Sequence, residues 1–141
     1  MSWIIPALIL CADTFNDIRH KEIYLYLTAA GTASGLVYDL VSAEAGFTGL
    51  IVSLLPGMLF LAVSAVSRGQ IGCGDSLVLL MTGTWAGPDI WIIFMTALFF
   101  AAIFAGSLWI KKRQNSEFPF VPFILAGFAA DTILMKTALL K

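Results

Sequence analysis

Charged side chains are scarce in this sequence. Only 12% of its 141 residues are Asp, Glu, Lys or Arg, whereas 60% are hydrophobic, and the mean hydropathy is +0.93. A soluble domain usually has about a quarter of its residues charged. The composition therefore excludes an ordinary soluble enzyme, and the lack of a basic patch excludes a nucleic-acid-binding protein. It indicates an integral membrane protein whose main surroundings are the lipid bilayer.

Histidine and cysteine are also rare. The single histidine, His20, has no serine or cysteine at a spacing typical of nucleophilic catalysis. The two cysteines, Cys11 and Cys73, have no metal-ligand spacing. We interpret His20 as a solvated loop residue and the cysteines as small, unpaired core residues. No pattern points to a metal or a cofactor, so carboxylates are left as the candidate reactive groups.

Apolar runs long enough to cross, or nearly cross, a hydrocarbon core of about 30 Å recur along the chain. Turn-forming residues such as Gly87-Pro88-Asp89 separate them. We therefore predict a single domain over residues 1–141, an all-α polytopic membrane bundle of about six transmembrane helices. The runs cover residues 3–16, 23–41, 47–66, 75–85, 90–110 and 119–139.

Basic residues fall in alternate connections between these runs. Six of the eight lie in the first, third and fifth connections, and none lies in the second or fourth. Because cytoplasmic loops carry an excess of Lys and Arg, we expect a multi-pass protein of the cell membrane with its N-terminus outside. Asp17 follows the first run and Asp75 opens the fourth, so this orientation predicts both on the cytoplasmic side. The six basic residues are Arg19, Lys21, Arg68, Lys111, Lys112 and Arg113.

Asp17 and Asp75 are the candidate catalytic residues. Two carboxylates brought close together cannot both ionise easily, so one of them keeps a proton near neutral pH. The charged carboxylate can then take a proton from water while the neutral one hydrogen-bonds the carbonyl under attack. Simpler alternatives stay open for each residue. Asp75 is also suited to capping a helix, and Asp17 is suited to pairing with Arg19 or Lys21.

Two further carboxylates lie within apolar runs. Asp13 is one helical turn before Asp17 on the same face, so it is either a rival for the catalytic role or a neighbour that tunes Asp17. Asp131 lies about twelve residues into the sixth run. An ionisable residue at such a depth is a functional candidate, but a pairing with Lys136 or an interfacial position explains Asp131 more simply.

Three motifs resemble those of the type IV prepilin peptidases and their preflagellin-peptidase relatives, which are membrane aspartic proteases of the GxGD class. Asp17-Ile18-Arg19 followed by Ile23 resembles the family's Asp-x-Arg-x-x-x-Ile-Pro-Asn. Gly72-Cys73-Gly74-Asp75 fits the GxGD signature, and the segment Phe118-Pro119-Phe120-Val121-Pro122-Phe123 resembles the Pro-Phe-x-Pro-Phe opening of the last helix.

The resemblance implies that Asp17 and Asp75 form a catalytic pair without a metal or cofactor. The implied substrate is a pilin-like precursor with a short basic leader and an apolar N-terminal helix, cleaved at the cytoplasmic face. Gly72 and Gly74 would let the extended peptide approach closely.

Some positions depart from the family's pattern. Tyr24-Leu25 stand where the family often has Pro-Asn or Pro-Asp, and Leu77 stands where it often has lysine. We expect a minimal form without the methyltransferase region. A GxGD intramembrane protease with another substrate and a small proton or cation transporter component are the alternatives.

Overall fold

The computed structural model of the protein describes residues 3–20, 23–42, 46–66, 73–110 and 120–139. Within these ranges the chain forms six α-helices, one short 3-10 helix and no strand, which confirms the all-α prediction. The elements are α1 (Ile4–His20), α2 (Leu25–Ser42), α3 (Gly46–Val66), α4 (Cys73–Ala86), the 3-10 turn (Gly87–Asp89), α5 (Ile90–Ile110) and α6 (Val121–Leu139).

Two helical segments of the described residues are long and apolar enough to cross a membrane. One is α3, and the other runs from Cys73 to Ser107, so that it contains α4, the 3-10 turn and most of α5. The length and composition of these segments support the membrane assignment. The arrangement of six spans with the N-terminus outside stays a prediction.

Helix α4 lies at the centre of the bundle. It packs most extensively against α3 and α2 and also contacts α1, α5 and α6. Its side chains Val78, Leu79 and Met81 are fully buried in the core. A Cβ atom at Gly83 would collide with the backbone oxygen of Ser53, so glycine is what allows α3 and α4 to approach so closely. The central position of α4 brings its first turn close to the end of α1.

Tryptophan side chains tie neighbouring helices together through polar as well as apolar contacts. The Trp85 indole on α4 donates a hydrogen bond of 2.9 Å to the backbone oxygen of Gly31 on α2. The Trp91 indole on α5 donates one of 3.2 Å to the backbone oxygen of Val52 on α3. A buried indole usually finds such a partner, and here each partner is on another helix.

The first helix is longer than the apolar run that predicts it. Residue 16 was the expected end, but α1 continues to His20, so Asp17 lies on a helix and not in a connection. The buried polar face of α1 explains the extension, because Asn16 and Asp17 turn toward the bundle. Arg19 and His20 occupy the last turn, where positive charge is favoured by the helix dipole. His20 is exposed, although it belongs to this helix and not to a loop.

The two cysteines do not belong to the core. Both are free, and the side chains of Cys11 and Cys73 are exposed, so the core assignment is wrong. Cys11 lies on the face of α1 that also exposes Leu8 and Phe15. Residues spaced by three and four along a helix share a face, and this one points away from the other helices.

Candidate active site

Asp17 projects from the last part of α1 toward the start of α6. Its side chain is only 9% exposed. The backbone N–H of Val121, the first residue of α6, donates a hydrogen bond to the carboxylate. The Asp17 Oδ2 atom is buried and has no hydrogen-bond partner among the described residues. One acceptor atom of this side chain is therefore available for a group that comes from outside the described chain.

Asp75 lies in the first turn of α4 and is half-buried. Because α4 begins at Cys73, Asp75 is inside the helix and does not precede it as a cap. A carboxylate in the first turn is stabilised by the helix dipole and by free backbone N–H groups. The charges of Asp17 and Asp75 interact. Helices α1 and α4 thus bring together two carboxylates that are far apart in the sequence.

Asp17 lies just beyond the first apolar run, and its burial has the largest effect on the pKa of its carboxyl. Burial raises this pKa above its ordinary value, and the hydrogen bond from Val121 lowers it. The nearby charge of Asp13 raises the pKa further, so the net shift is upward. A carboxyl with a raised pKa holds its proton at a higher pH, which suits a pair that shares a single proton.

Asp13 is completely buried, with 0% of its side chain exposed. Its Oδ2 atom accepts a hydrogen bond of 2.9 Å from the Thr28 hydroxyl. Its Oδ1 atom accepts one of 3.3 Å from the backbone N–H of Tyr24. Both oxygens of Asp13 are therefore engaged by the start of α2, whereas Asp17 retains an unengaged oxygen. This difference favours Asp17 over Asp13 as the reactive carboxylate.

Gly74 has a packing role next to Asp75. A Cβ atom at this position would collide with Cδ1 of Ile23 and would lie 2.7 Å from its Cγ1. The absence of a side chain lets Ile23, two residues before α2, fit over the first turn of α4. Sequence reasoning assigned Gly72 and Gly74 to peptide access; Gly72 lies outside the described residues, and for Gly74 that role stays a prediction.

Asp131 lies apart from this site. It is on α6, ten residues after Val121, which corresponds to about 15 Å along the helix. Its side chain is 3% exposed, and its charge interacts with that of Asp89 in the 3-10 turn. The predicted partner, Lys136, also lies on α6, but its side chain is not among those that the structure describes. The neighbour of Asp131 in the structure is thus another carboxylate, at the far end of α4.

An open apolar groove of about 390 Å³ runs between α5 and α6. Phe100 and Phe104 line it from α5, and Pro122 and Phe123 line it from α6. These last two residues directly follow Val121, whose N–H bonds to Asp17. The groove is thus connected to Asp17 by the first turn of α6.

The described residues contain no cluster of three or more His, Cys, Asp or Glu side chains that is placed to hold a metal ion. The arrangement that they do contain is a pair of interacting carboxylates, one of them with an unengaged buried oxygen. Such a pair can activate a water molecule by general acid–base catalysis.

The model of the type IV leader peptidase family matches residues 3–110. The chain belongs to the type IV leader peptidase family. The resemblance found from the sequence motifs is thereby confirmed, and the protein is assigned as a peptidase of a membrane-associated family. The match includes Asp17 and residues 72–75 but ends before the Pro-Phe segment. Neither a curated protein nor a solved structure matches the chain.

Two groups around the candidate site were not found from the sequence. Thr28 bonds to Asp13 across fifteen positions of the chain, and no local pattern marks it. The backbone N–H of Val121 is the other. Val121 does lie in the Pro-Phe segment, so the resemblance of that segment to the family was a usable signal. Residues 118 and 119 of the same segment lie outside the described residues.

Proposed function

We propose that this leader peptidase is a membrane aspartic endopeptidase that removes the short basic leader of type IV pilin-like precursors, prepilin or preflagellin, at the cytoplasmic face. The supporting observation is that α1, which carries Asp17, packs against α4, which carries Asp75, and brings the charges of the two carboxylates within interaction range in a chain of this family. The two residues come from different helices and each occupies one of the family's motifs.

The reaction follows from a shared proton. The ionised carboxylate takes a proton from a bound water, and the water oxygen attacks the carbonyl carbon of the scissile peptide. The protonated carboxyl gives its proton to the carbonyl oxygen, which yields a neutral tetrahedral diol. Proton transfer to the amide nitrogen and cleavage of the C–N bond release the leader and restore the pair. The unengaged Oδ2 of Asp17 is suited to contact that water.

The precursor's apolar helix would lie against the outside of the bundle. The groove between α5 and α6 offers an aromatic, apolar surface for it. In the proposed six-span arrangement the basic leader lies on the cytoplasmic side, where the pair also lies. Extended residues just beyond the apolar helix would then reach Asp17 and Asp75 past the first turn of α6.

The test is cleavage of a co-expressed prepilin by single-residue variants. Asp17→Asn and Asp75→Asn each keep the shape of the side chain but remove its charge and should abolish cleavage, while the protein still inserts into the membrane. Asp131→Asn is the matched control, because it changes another buried carboxylate in the same way and should cleave normally. Normal cleavage by either variant of the pair would reject the proposal.

A further inference from the structure

Asp13 is a fully buried carboxylate that the proposed reaction does not use. Burying a carboxylate in apolar surroundings is costly unless hydrogen bonds compensate it. In a chain with so few charged residues, a carboxylate retained at 0% exposure therefore requires an explanation. Among the described residues, the compensation comes from two groups at the start of α2: the Thr28 hydroxyl and the Tyr24 N–H.

The Tyr24 N–H lies at the start of a helix and bonds to a residue on another helix. Tyr24 immediately precedes α2, which begins at Leu25. Backbone N–H groups at the start of a helix have no partner within that helix and need an acceptor from elsewhere. Caps usually come from a side chain of the same segment. Here the acceptor is Asp13, eleven positions earlier and on another helix. Asp13 thus fixes where α2 begins relative to α1.

Thr28 has two acceptors within reach but only one hydroxyl proton. Its Oγ1 lies 2.9 Å from Asp13 Oδ2 and 3.1 Å from the backbone oxygen of Tyr24. The hydroxyl can donate to one of them at a time, and it can accept a bond from a donor at the other side. An asparagine at position 13 can therefore replace both links, because its amide oxygen accepts from Tyr24 and its amide nitrogen donates to Thr28.

The capped segment reaches the second catalytic carboxylate. Ile23 directly precedes Tyr24, and its side chain fills the space over Gly74. Gly74 directly precedes Asp75. Asp17 is one turn from Asp13 on the same helix. If α2 shifts relative to α1, Ile23 shifts with it and displaces Gly74 and Asp75. The position of α2 therefore affects the distance between Asp17 and Asp75.

We infer that Asp13 is a positioning residue, which caps the start of α2 and, through Ile23 and Gly74, holds Asp75 at its working distance from Asp17. The inference rests on the proposed function, since it takes Asp17 and Asp75 as the reacting pair. Asp13 itself does not touch the substrate in this scheme.

The test measures cleavage of a prepilin in detergent, with kcat and KM normalised to the amount of folded, membrane-extracted protein. Asp13→Ala loses both links, so kcat should fall about 10- to 100-fold, as expected for a small displacement of a catalytic group. KM should stay unchanged, because Asp13 is not among the residues that line the groove between α5 and α6. Asp13→Asn restores both links and should keep kcat within about 3-fold of the original value.

Thr28→Val supplies an independent variant that leaves Asp13 in place. It removes one link and should lower kcat about 3- to 10-fold, again without a change in KM. Because both residues act through the same contact, Asp13→Ala combined with Thr28→Val should be no worse than Asp13→Ala alone. Additive losses in the double variant would contradict a shared positioning role.

Three other results would overturn the inference. An inactive Asp13→Asn would mean that the charge of Asp13 takes part in the chemistry, and an unchanged kcat for Asp13→Ala would mean that the cap is irrelevant. A raised KM at constant kcat would place Asp13 in substrate binding. Asp17→Asn and Asp75→Asn in the same assay keep the two hypotheses separate, because active variants at those positions reject the proposed function itself.

Discussion

Two pairs of interacting carboxylates lie at opposite ends of α4. Asp75 in its first turn interacts with Asp17 on α1, and Asp89 just after its last turn interacts with Asp131 on α6. In each pair the partner from the outer helix is buried and has an Oδ2 atom without a hydrogen-bond partner among the described residues. The burial of these partners and their unengaged oxygens therefore do not distinguish the two pairs.

The two pairs differ in the contacts that hold their side chains in place. The Asp17 carboxylate accepts a hydrogen bond from the backbone N–H of Val121, and Asp75 follows Gly74, over which Ile23 is packed. The Asp17–Asp75 pair lies within residues 3–110, which the family model matches, whereas Asp131 lies beyond them. A pair of carboxylates becomes a candidate catalytic site when the surrounding chain fixes its geometry.

The largest expected difference comes from lengthening one side chain in each pair. Asp17→Glu moves the carboxylate by one methylene group, and a misplacement of about 1 Å can cost about 100-fold in rate. We expect that loss in prepilin cleavage, measured as kcat/KM. The same change at the other pair, Asp131→Glu, should leave cleavage within about 3-fold. Equal losses at both positions would show that the two pairs are not functionally distinct.

The glycines at the two ends of α4 should respond in different ways. Gly74→Ala pushes Ile23 out of place and should lower prepilin cleavage about 10-fold, since overpacking displaces its neighbours. Ile23→Val removes the Cδ1 atom, which makes the closest collision, but keeps a side chain over the first turn of α4, so it should restore part of the activity in the double variant.

Gly87, at the other end, has a φ of 58° and nothing within 4 Å of a Cβ atom. Gly87→Ala should leave cleavage intact and lower the free energy of unfolding in mixed micelles by about 1 kcal/mol, the cost of a left-handed backbone at alanine. If Gly87→Ala lost cleavage without a loss of stability, the two glycines would not differ in their relation to the candidate site.

The smallest expected effect is a shift in pH dependence. The charge of Asp13 raises the pKa of the Asp17 carboxyl. Asp13→Asn removes that charge, so the Asp17–Asp75 pair should lose its first proton at a lower pH and the acid limb of the kcat profile should move down by about 1 pH unit or less. Asp131→Asn should leave the acid limb where it is. A shift toward higher pH would contradict the assigned sign.

The helices could be predicted from apolar runs because lipid-facing and core-facing positions both demand apolar side chains. The expected start of the third run, residue 47, is one residue from Gly46, and the fifth run coincides with α5. The prediction failed at the end of α1, where Asn16 and Asp17 face the bundle. Hydropathy treats such residues as loop-forming, although buried partners stabilise them within a helix.

The candidate pair could be proposed from the sequence because Asp17 and Asp75 lie in short motifs, but the contacts that hold these residues in place could not. The links from Asp13 to Tyr24 and Thr28 join helices across eleven and fifteen positions. Such contacts depend on how α1 packs against α2, which no local pattern specifies. The Asp89–Asp131 interaction was missed for the same reason, and sequence reasoning sought a partner for Asp131 within its own helix.

The hydrogen bond from Val121 gives the Asp17 side chain a structural role beside its proposed catalytic one. Val121 opens α6, so its N–H has no partner within that helix, and Asp17 supplies one from α1. A change that removes the oxygens of Asp17 therefore loosens the attachment of a whole helix, in addition to affecting the chemistry that we propose for this residue. In the proposed function, the attachment of α6 and the cleavage reaction therefore depend on the same position.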